Sequence, residues 1–399
     1  MAPRLIVGIF LGLLTLPLAQ AIHPLIATAP LDEKRVPRPF PRVSEFYDRT
    51  DDALASKLNG WFDDRIGFRD FMIRLKNQID YSVFGTSAKV LIGRDGWLYH
   101  RGTLDAKVET ERASQIKLRE IEGFFDWLQA YAADRDMLLV VVSYPDKATI
   151  YPNEMGPSFP TFREPRKYEL VRAYLRNKPG LLYIDAEPIL REESRRHRVF
   201  YQTDVHTAFF GNIAMTRAVV DRIADALGRS DVYWNEHFST RRYPFTIGSE
   251  SHFIPLFTPL GEEIDAAIDQ YELFRDTADT LWIAPTEKVH VPGIGEQPVF
   301  DWLVRAPPGK EAGRLPPAAL FGNSFSDSYF GLGIQRYFVE IRRARTEIRG
   351  IQTGRGNRLL PYLATMPAHV KILIYQYFEP LLLADLPDYL DHGARSTVE

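Results

Sequence analysis

The run "MLLVVVSYP" at 137–145 decides the fold class of this chain. A strand half-exposed to water alternates apolar and polar residues. One covered on both faces reads as a continuous apolar run, the pattern of a parallel sheet between helices. Working upstream, Leu118, Ile121, Phe125, Leu128 and Ala132 recur at helical spacing, with Ser114 as a candidate cap. Downstream, a helix is expected over about 165–177, then a second buried strand in "LLYIDAEPIL" (181–190). A long helix is expected from Asn212 to Leu227, ended by Gly228, and "VKILIYQYFE" (370–379) is a third apolar strand. Strands alternating with helices predict an α/β fold with a mostly parallel sheet. Residues 43–83 show a helical pattern through Phe46, Leu54, Leu58, Phe62, Phe68, Phe71, Leu75 and Ile79, and "VLIGRDGWLYH" (90–100) reads as a hairpin. The stretch 229–316 has no clear period and is expected to be an irregular insertion.

Composition narrows the function. A net charge of −3 lacks the basic excess that nucleic-acid binding needs. The absence of cysteine removes disulfides, thiolate catalysis and Cys-based zinc sites together. The nine histidines are scattered, with no His-x-x-x-His spacing, so neither a metal nor another cofactor is expected. The aromatic content of 13% suits carbohydrate binding, although aromatic residues serve cores first.

The N-terminus carries an export signature. Arg4 precedes an apolar run from Leu5 to Ala19, and Ala19-Gln20-Ala21 is a small-x-small cleavage pattern. The segment 1–25 reads as a cleaved signal peptide or, extended through "IHPLIATA", an uncleaved membrane anchor, with a buried first helix as the bland alternative. The first two place the remainder outside the cytoplasm. Residues 26–42, rich in proline and charge, read as a linker, and 43–399 as the functional domain.

The chemistry sits in two loops. In "LFGNSFSD" (320–327) an apolar strand end meets Gly322 and Asn323, which turn sharply, and residues that open helices. Such a turn exposes the Ser324 hydroxyl beside backbone N–H groups. Ser326, two residues on, reads as a cap. In "FYQTDVHTAFFGN" (200–212), Asp204 and His206 are spaced so that a carboxylate orients an imidazole. Asp-x-His is also a metal-ligand spacing and a common surface pair. Asn323 is either an oxyanion donor or only a turn residue, and Asn357 in "GRGNR" is a second amide candidate. Lys147 and Tyr151, just past the first strand, are candidate polymer contacts, with a structural role for Tyr151 as the alternative. "EIRRARTEIRG" (340–350), with Arg355 and Arg358, is either a solvated face or a basic lining for an anionic polysaccharide. Trp97 and Tyr99 read mainly as hairpin packing.

These residues resemble the SGNH-hydrolase-like domain of the alginate O-acetyltransferases, the AlgJ and AlgX type. The resemblance spans roughly 43–390 and rests on "FDDRIGFRD" (62–70), "LIGRDGWLYH" (91–100), "YPDKATIYPNE" (144–154), "TDVHTAFFG" (203–211) and "FGNSFSD" (321–327). It implies a three-layer α/β/α domain, circularly permuted so that the Asp-x-His block precedes the serine. Ser324 then falls on the nucleophile, His206 on the base and Asp204 on the orienting acid. Thr207 stands where the family usually has Trp, and Asn323 where Asp or Thr is more frequent. The resemblance further implies a periplasmic enzyme, possible inner-membrane tethering, an exopolysaccharide acceptor and a membrane-bound acyltransferase partner as acetyl source. No separate C-terminal carbohydrate-binding module is evident, which is closer to the tethered AlgJ type. An acetylesterase on the same scaffold and a non-catalytic polysaccharide-binding subunit are the alternatives.

Overall fold

A computed structural model describes all of the chain except Met1 and residues 32–36, 47–53, 106–110, 157–158, 160–166, 247, 268–273, 275–277, 292–294, 346–358 and 383–399. The chain divides into two compact units, 1–90 with 249–260, and 91–248 with 261–399.

The larger unit is built on a seven-stranded sheet. In chain order its strands are β1 (Leu138–Tyr144), β2 (Leu182–Asp185), β3 (Leu281–Ile283), β4 (Trp302–Arg305), β5 (Ala318–Gly322), β6 (Glu340–Arg345) and β7 (Ile372–Phe378). Across the sheet the order is β2-β1-β7-β5-β6-β4-β3. The first five of these run parallel, with Leu320 opposite Ile374 on one side and Arg343 on the other. β4 and β3 extend the sheet antiparallel at its edge.

The continuous apolar runs are explained by two cores, one on each face. Val140, Val142, Leu320, Ile372 and Ile374 pack with Met215, Val219, Val220 and Ile223 of the helix Phe209–Ala226. Their neighbours Leu139, Val141, Phe321, Leu373 and Tyr375 face Ile121, Phe124, Phe125 and Leu128 of the helix Glu111–Ala133, and Val171 and Leu175 of the helix Lys167–Asn177. Each such side chain removed from water contributes roughly 1.5–3 kcal/mol. The fold is therefore a three-layer α/β/α sandwich with a mostly parallel sheet, as expected.

Several local expectations change. Ser114 lies inside a helix that already begins at Glu111, so it is not the cap. The strand expected over 181–190 stops at Asp185, whose side chain accepts the Glu187 N–H and starts a helix instead. The irregular stretch 229–316 is rich in β structure: it supplies β3 and β4 and two hairpins, Thr240–Phe245 with Glu262–Ala267 and Lys288–Val291 with Gly295–Pro298. The hairpin near 90–100 forms, with Leu98–His100 as its second strand.

In the smaller unit the helical pattern breaks into Leu54–Asp63 and Arg69–Phe84, and a longer helix covers Ala2–Ile22. Its segment Leu5–Ile22 has a mean hydropathy of 2.2 and no buried residue, long and apolar enough to cross a membrane and fitting a signal or an anchor.

Candidate active site

Parallel strands deliver their C-terminal ends to one edge, where α/β proteins gather functional loops. β5 ends there at Gly322, and Ser324 follows two residues later on a single tight turn, 324–326. The turn is held by its own polar groups. The Asn323 side-chain oxygen accepts the Phe325 N–H at 3.1 Å, and the Gln376 side chain, from β7, accepts the Asn323 N–H at 3.1 Å. A Cβ on Gly322 would lie 2.6 Å from that same Gln376 oxygen, so glycine is needed for the close approach. The Ser326 hydroxyl donates to the Asn323 carbonyl at 2.7 Å and is fully buried, whereas Ser324 keeps partial exposure.

The second loop, 201–207, is pinched at its base by a bridge between Phe200 and Thr207. Asp204 accepts twice there, from the His206 backbone N–H at 2.8 Å and from Nδ1 of its ring at 2.5 Å. That contact assigns the ring proton to Nδ1 and leaves Nε2 as an acceptor. Nε2 lies 2.7 Å from the Ser324 hydroxyl, 118 residues along the chain. The imidazole rests on the Phe325 ring, with centroids 4.9 Å apart. Serine, histidine and aspartate thus form one connected hydrogen-bonded line. In such a line an imidazole can take the proton of a serine hydroxyl and make its oxygen a nucleophile.

Two buried charges hold this loop from opposite sides. The Lys147 ammonium donates to the carbonyls of Tyr201, Gln202 and Asp204 at 3.4, 3.1 and 3.0 Å. The Glu262 carboxylate accepts the N–H groups of Gln202 and Thr203 at 2.9 and 2.8 Å, and the Thr203 hydroxyl at 2.8 Å. Lys147 is only 2% exposed, so it organises the loop and cannot reach a polymer, contrary to the sequence expectation. Tyr151 is likewise structural: its hydroxyl accepts the Val199 N–H at 2.9 Å, its ring lies 4.5 Å from Trp97, and burial raises its pKa. Asn323 is buried and caps its own turn through its side-chain oxygen, while its amide nitrogen has no hydrogen-bond partner among the described residues, so the turn role and the oxyanion-donor role are compatible. Asn357, Arg355 and Arg358 lie outside the described residues.

The basic run at 340–350 also changes meaning. Its first part is β6, whose arginines are internal: Arg342 pairs with Glu340, Arg343 with Asp301 and Asp327, and Arg345 with Asp327. Glu262 and Gln376 have no role in the sequence reading, and Asp327 figures there only as a helix-opening residue. For Glu262 the available signal was an acidic residue on the inward side of an alternating strand, where a charge is kept only if paired.

A cleft of about 280 Å³ opens over this line, walled by Tyr201, Thr207, Asn212, Phe245, Phe325, Asp327 and Ser328. Among the described residues no group of three or more His, Cys, Asp or Glu side chains is placed to hold a metal ion.

The fold and this edge define an SGNH hydrolase-like domain. Residues 90–252 match the family model described as SGNH hydrolase-like domain, acetyltransferase AlgX. That match takes in Asp204 and His206 and ends before Ser324. The chain is similar to proteins named probable alginate O-acetylase AlgJ. It is 25% identical to that of Pseudomonas syringae pv. tomato over 51% of this chain and 53% of the relative. It is 24% identical to that of Azotobacter vinelandii over 54% and 55%. The chain therefore spans about half the length of the curated relatives it matches. Among solved structures, the O-acetyltransferase domain of Pseudomonas putida AlgJ matches with a TM-score of 0.45 and 16% identity, covering 74% of this chain and 92% of that one. Bacillus cereus PatB1 matches with a TM-score of 0.49 and 11% identity, over 73% and 96%.

Proposed function

We propose that this chain is an O-acetyltransferase that moves acetyl groups onto hydroxyls of an alginate-like exopolysaccharide through an acyl-serine intermediate. The observation that carries the reading is the continuous line from Asp204 through His206 to the Ser324 hydroxyl, with its 2.5 and 2.7 Å links.

In the first half-reaction the Ser324 oxygen attacks the acetyl carbonyl of the donor, and its proton passes to His206 Nε2. The tetrahedral intermediate collapses, breaking the bond to the leaving group, which takes that proton. Asp204 stabilises the transient imidazolium through Nδ1. In the second, His206 takes the proton of a sugar hydroxyl, whose oxygen attacks the acyl-serine; the tetrahedral intermediate collapses, the bond to the Ser324 oxygen breaks, and Ser324 takes that proton back from His206. On the apolar N-terminal helix, which fits an export signal or an anchor, we place the protein in the periplasm. A membrane-bound acyltransferase would supply the acetyl group.

The test is incubation with a chromogenic acetyl ester and an oligosaccharide acceptor, followed by mass spectrometry. Acetylated sugar is expected; free acetate alone would indicate an esterase, and no turnover a binding subunit. Ser324→Ala is expected to reduce turnover at least about a thousandfold. Retained turnover in that variant sinks the assignment of the nucleophile.

A further inference from the structure

The acyl-transfer chemistry leaves one wall of the cleft without a role. Tyr201 and Phe245 stand there with their rings stacked, centroids 4.5 Å apart and planes within 12°, both only partly buried. They line the same cleft as His206 and Ser324. An aromatic face carries negative charge density, which attracts the weakly positive C–H groups on the flat side of a pyranose. A pocket that adds a few fixed polar groups to such a wall selects both orientation and identity.

The fixed polar group is Asp327. Its carboxylate is held from behind by Arg343 and by both the Nε and a terminal nitrogen of Arg345. A carboxylate has about four acceptor positions, so these three donors leave capacity for a hydroxyl from the cleft. The charge around the cleft is the second observation. Its described lining contains two carboxylates, Asp204 and Asp327, and no lysine or arginine. The β6 arginines that might have faced a polyanion are engaged with Glu340, Asp301 and Asp327.

We propose that Tyr201 and Phe245 form the stacking wall of an acceptor-sugar subsite in which Asp327 accepts a sugar hydroxyl. The subsite reads ring face and hydroxyl pattern, and among the described residues its lining offers no cation to a sugar carboxylate. This rests on the acetyltransferase reading and names what its acceptor must present at the reacting position.

The probes are a short oligouronate and the same oligomer after carboxyl reduction. Each is titrated by calorimetry into the full chain carrying Ser324→Ala, which prevents turnover. The carboxyl-reduced oligomer is expected to bind at least as tightly as the uronate. Adding Phe245→Ala is expected to weaken it about tenfold, and Phe245→Tyr to restore most of the loss. A tenfold loss on carboxyl reduction overturns the proposal, as does binding that ignores Phe245→Ala, or no binding of either oligomer. If Phe245→Ala does not fold, the comparison of the two oligomers decides alone. Failure of the acetyltransferase reading appears elsewhere, as absence of acetylated sugar with the Ser324-intact chain, whatever the binding result.

Discussion

Ser324 and Ser326 sit two residues apart on one turn, yet their surroundings separate them completely. The Ser326 hydroxyl is buried and spends its proton on the Asn323 carbonyl, while Arg343 donates to it at 3.2–3.3 Å. Ser326→Ala is therefore expected to lower stability by about 1–2 kcal/mol, read by thermal unfolding, while keeping ester turnover. Loss of turnover in a folded Ser326→Ala variant would count against the division of roles. Asp204 serves the ring and the loop at once, through Nδ1 and the backbone N–H of His206. In Asp204→Asn an amide N–H can face Nδ1, favouring the wrong tautomer. We expect kcat to fall by roughly 10³–10⁴ with a smaller change in KM. A pH–rate profile and kcat close to wild type would show that the carboxylate does not orient the base. Both residues, with Ser324 and His206, were legible in the sequence because turn glycines and short Asp-x-His spacing are local features. Lys147 was misread for the same reason: its position after a strand was visible, its burial was not.

At the scale of elements, the loop 201–207 is placed by partners far from it in sequence. Lys147 satisfies three of its carbonyls and Glu262 two of its N–H groups, so loop geometry depends on two buried charges. Lys147→Met keeps the length of the side chain and removes the donors. It is expected to cost about 3 kcal/mol of stability and to lower kcat more than it raises KM. Glu262→Gln presents an amide N–H to a backbone N–H and should lower kcat in the same sense. Measured Michaelis constants that rise while kcat holds would mean these residues serve acceptor binding rather than positioning. Strands β1 and β7 were readable because burial on both faces leaves an uninterrupted apolar run. β6 was not, because Arg342, Arg343 and Arg345 disguise a buried strand as a solvated basic face. Pairing with Glu340, Asp301 and Asp327 makes that burial tolerable, and such partners cannot be assigned from spacing.

For the whole molecule, the N-terminal helix Ala2–Ile22 spans roughly 30 Å, the thickness of a bilayer's hydrocarbon core. The full chain is expected in the membrane fraction, and a chain beginning at residue 26 in the soluble fraction with ester turnover retained. Mature N-terminal sequencing distinguishes the two fates: a terminus at Ile22 means cleavage after Ala21, and an intact N-terminal segment means a tether. Recovery of an uncleaved full chain in the soluble fraction would count against an anchor. By itself the sequence determined the α/β class, carried an export signature and singled out Ser324, His206 and Asp204 as the candidate residues. These are written in local patterns: apolar runs, turn residues and short spacings. Only the tertiary structure decided that His206 and Ser324, 118 positions apart, close to a 2.7 Å contact. It also turned Lys147 inward, paired the β6 arginines, and set Tyr201 against Phe245 on the cleft wall. Those outcomes depend on which strand ends share an edge and which charges find partners there, and neither is fixed by neighbours in the chain.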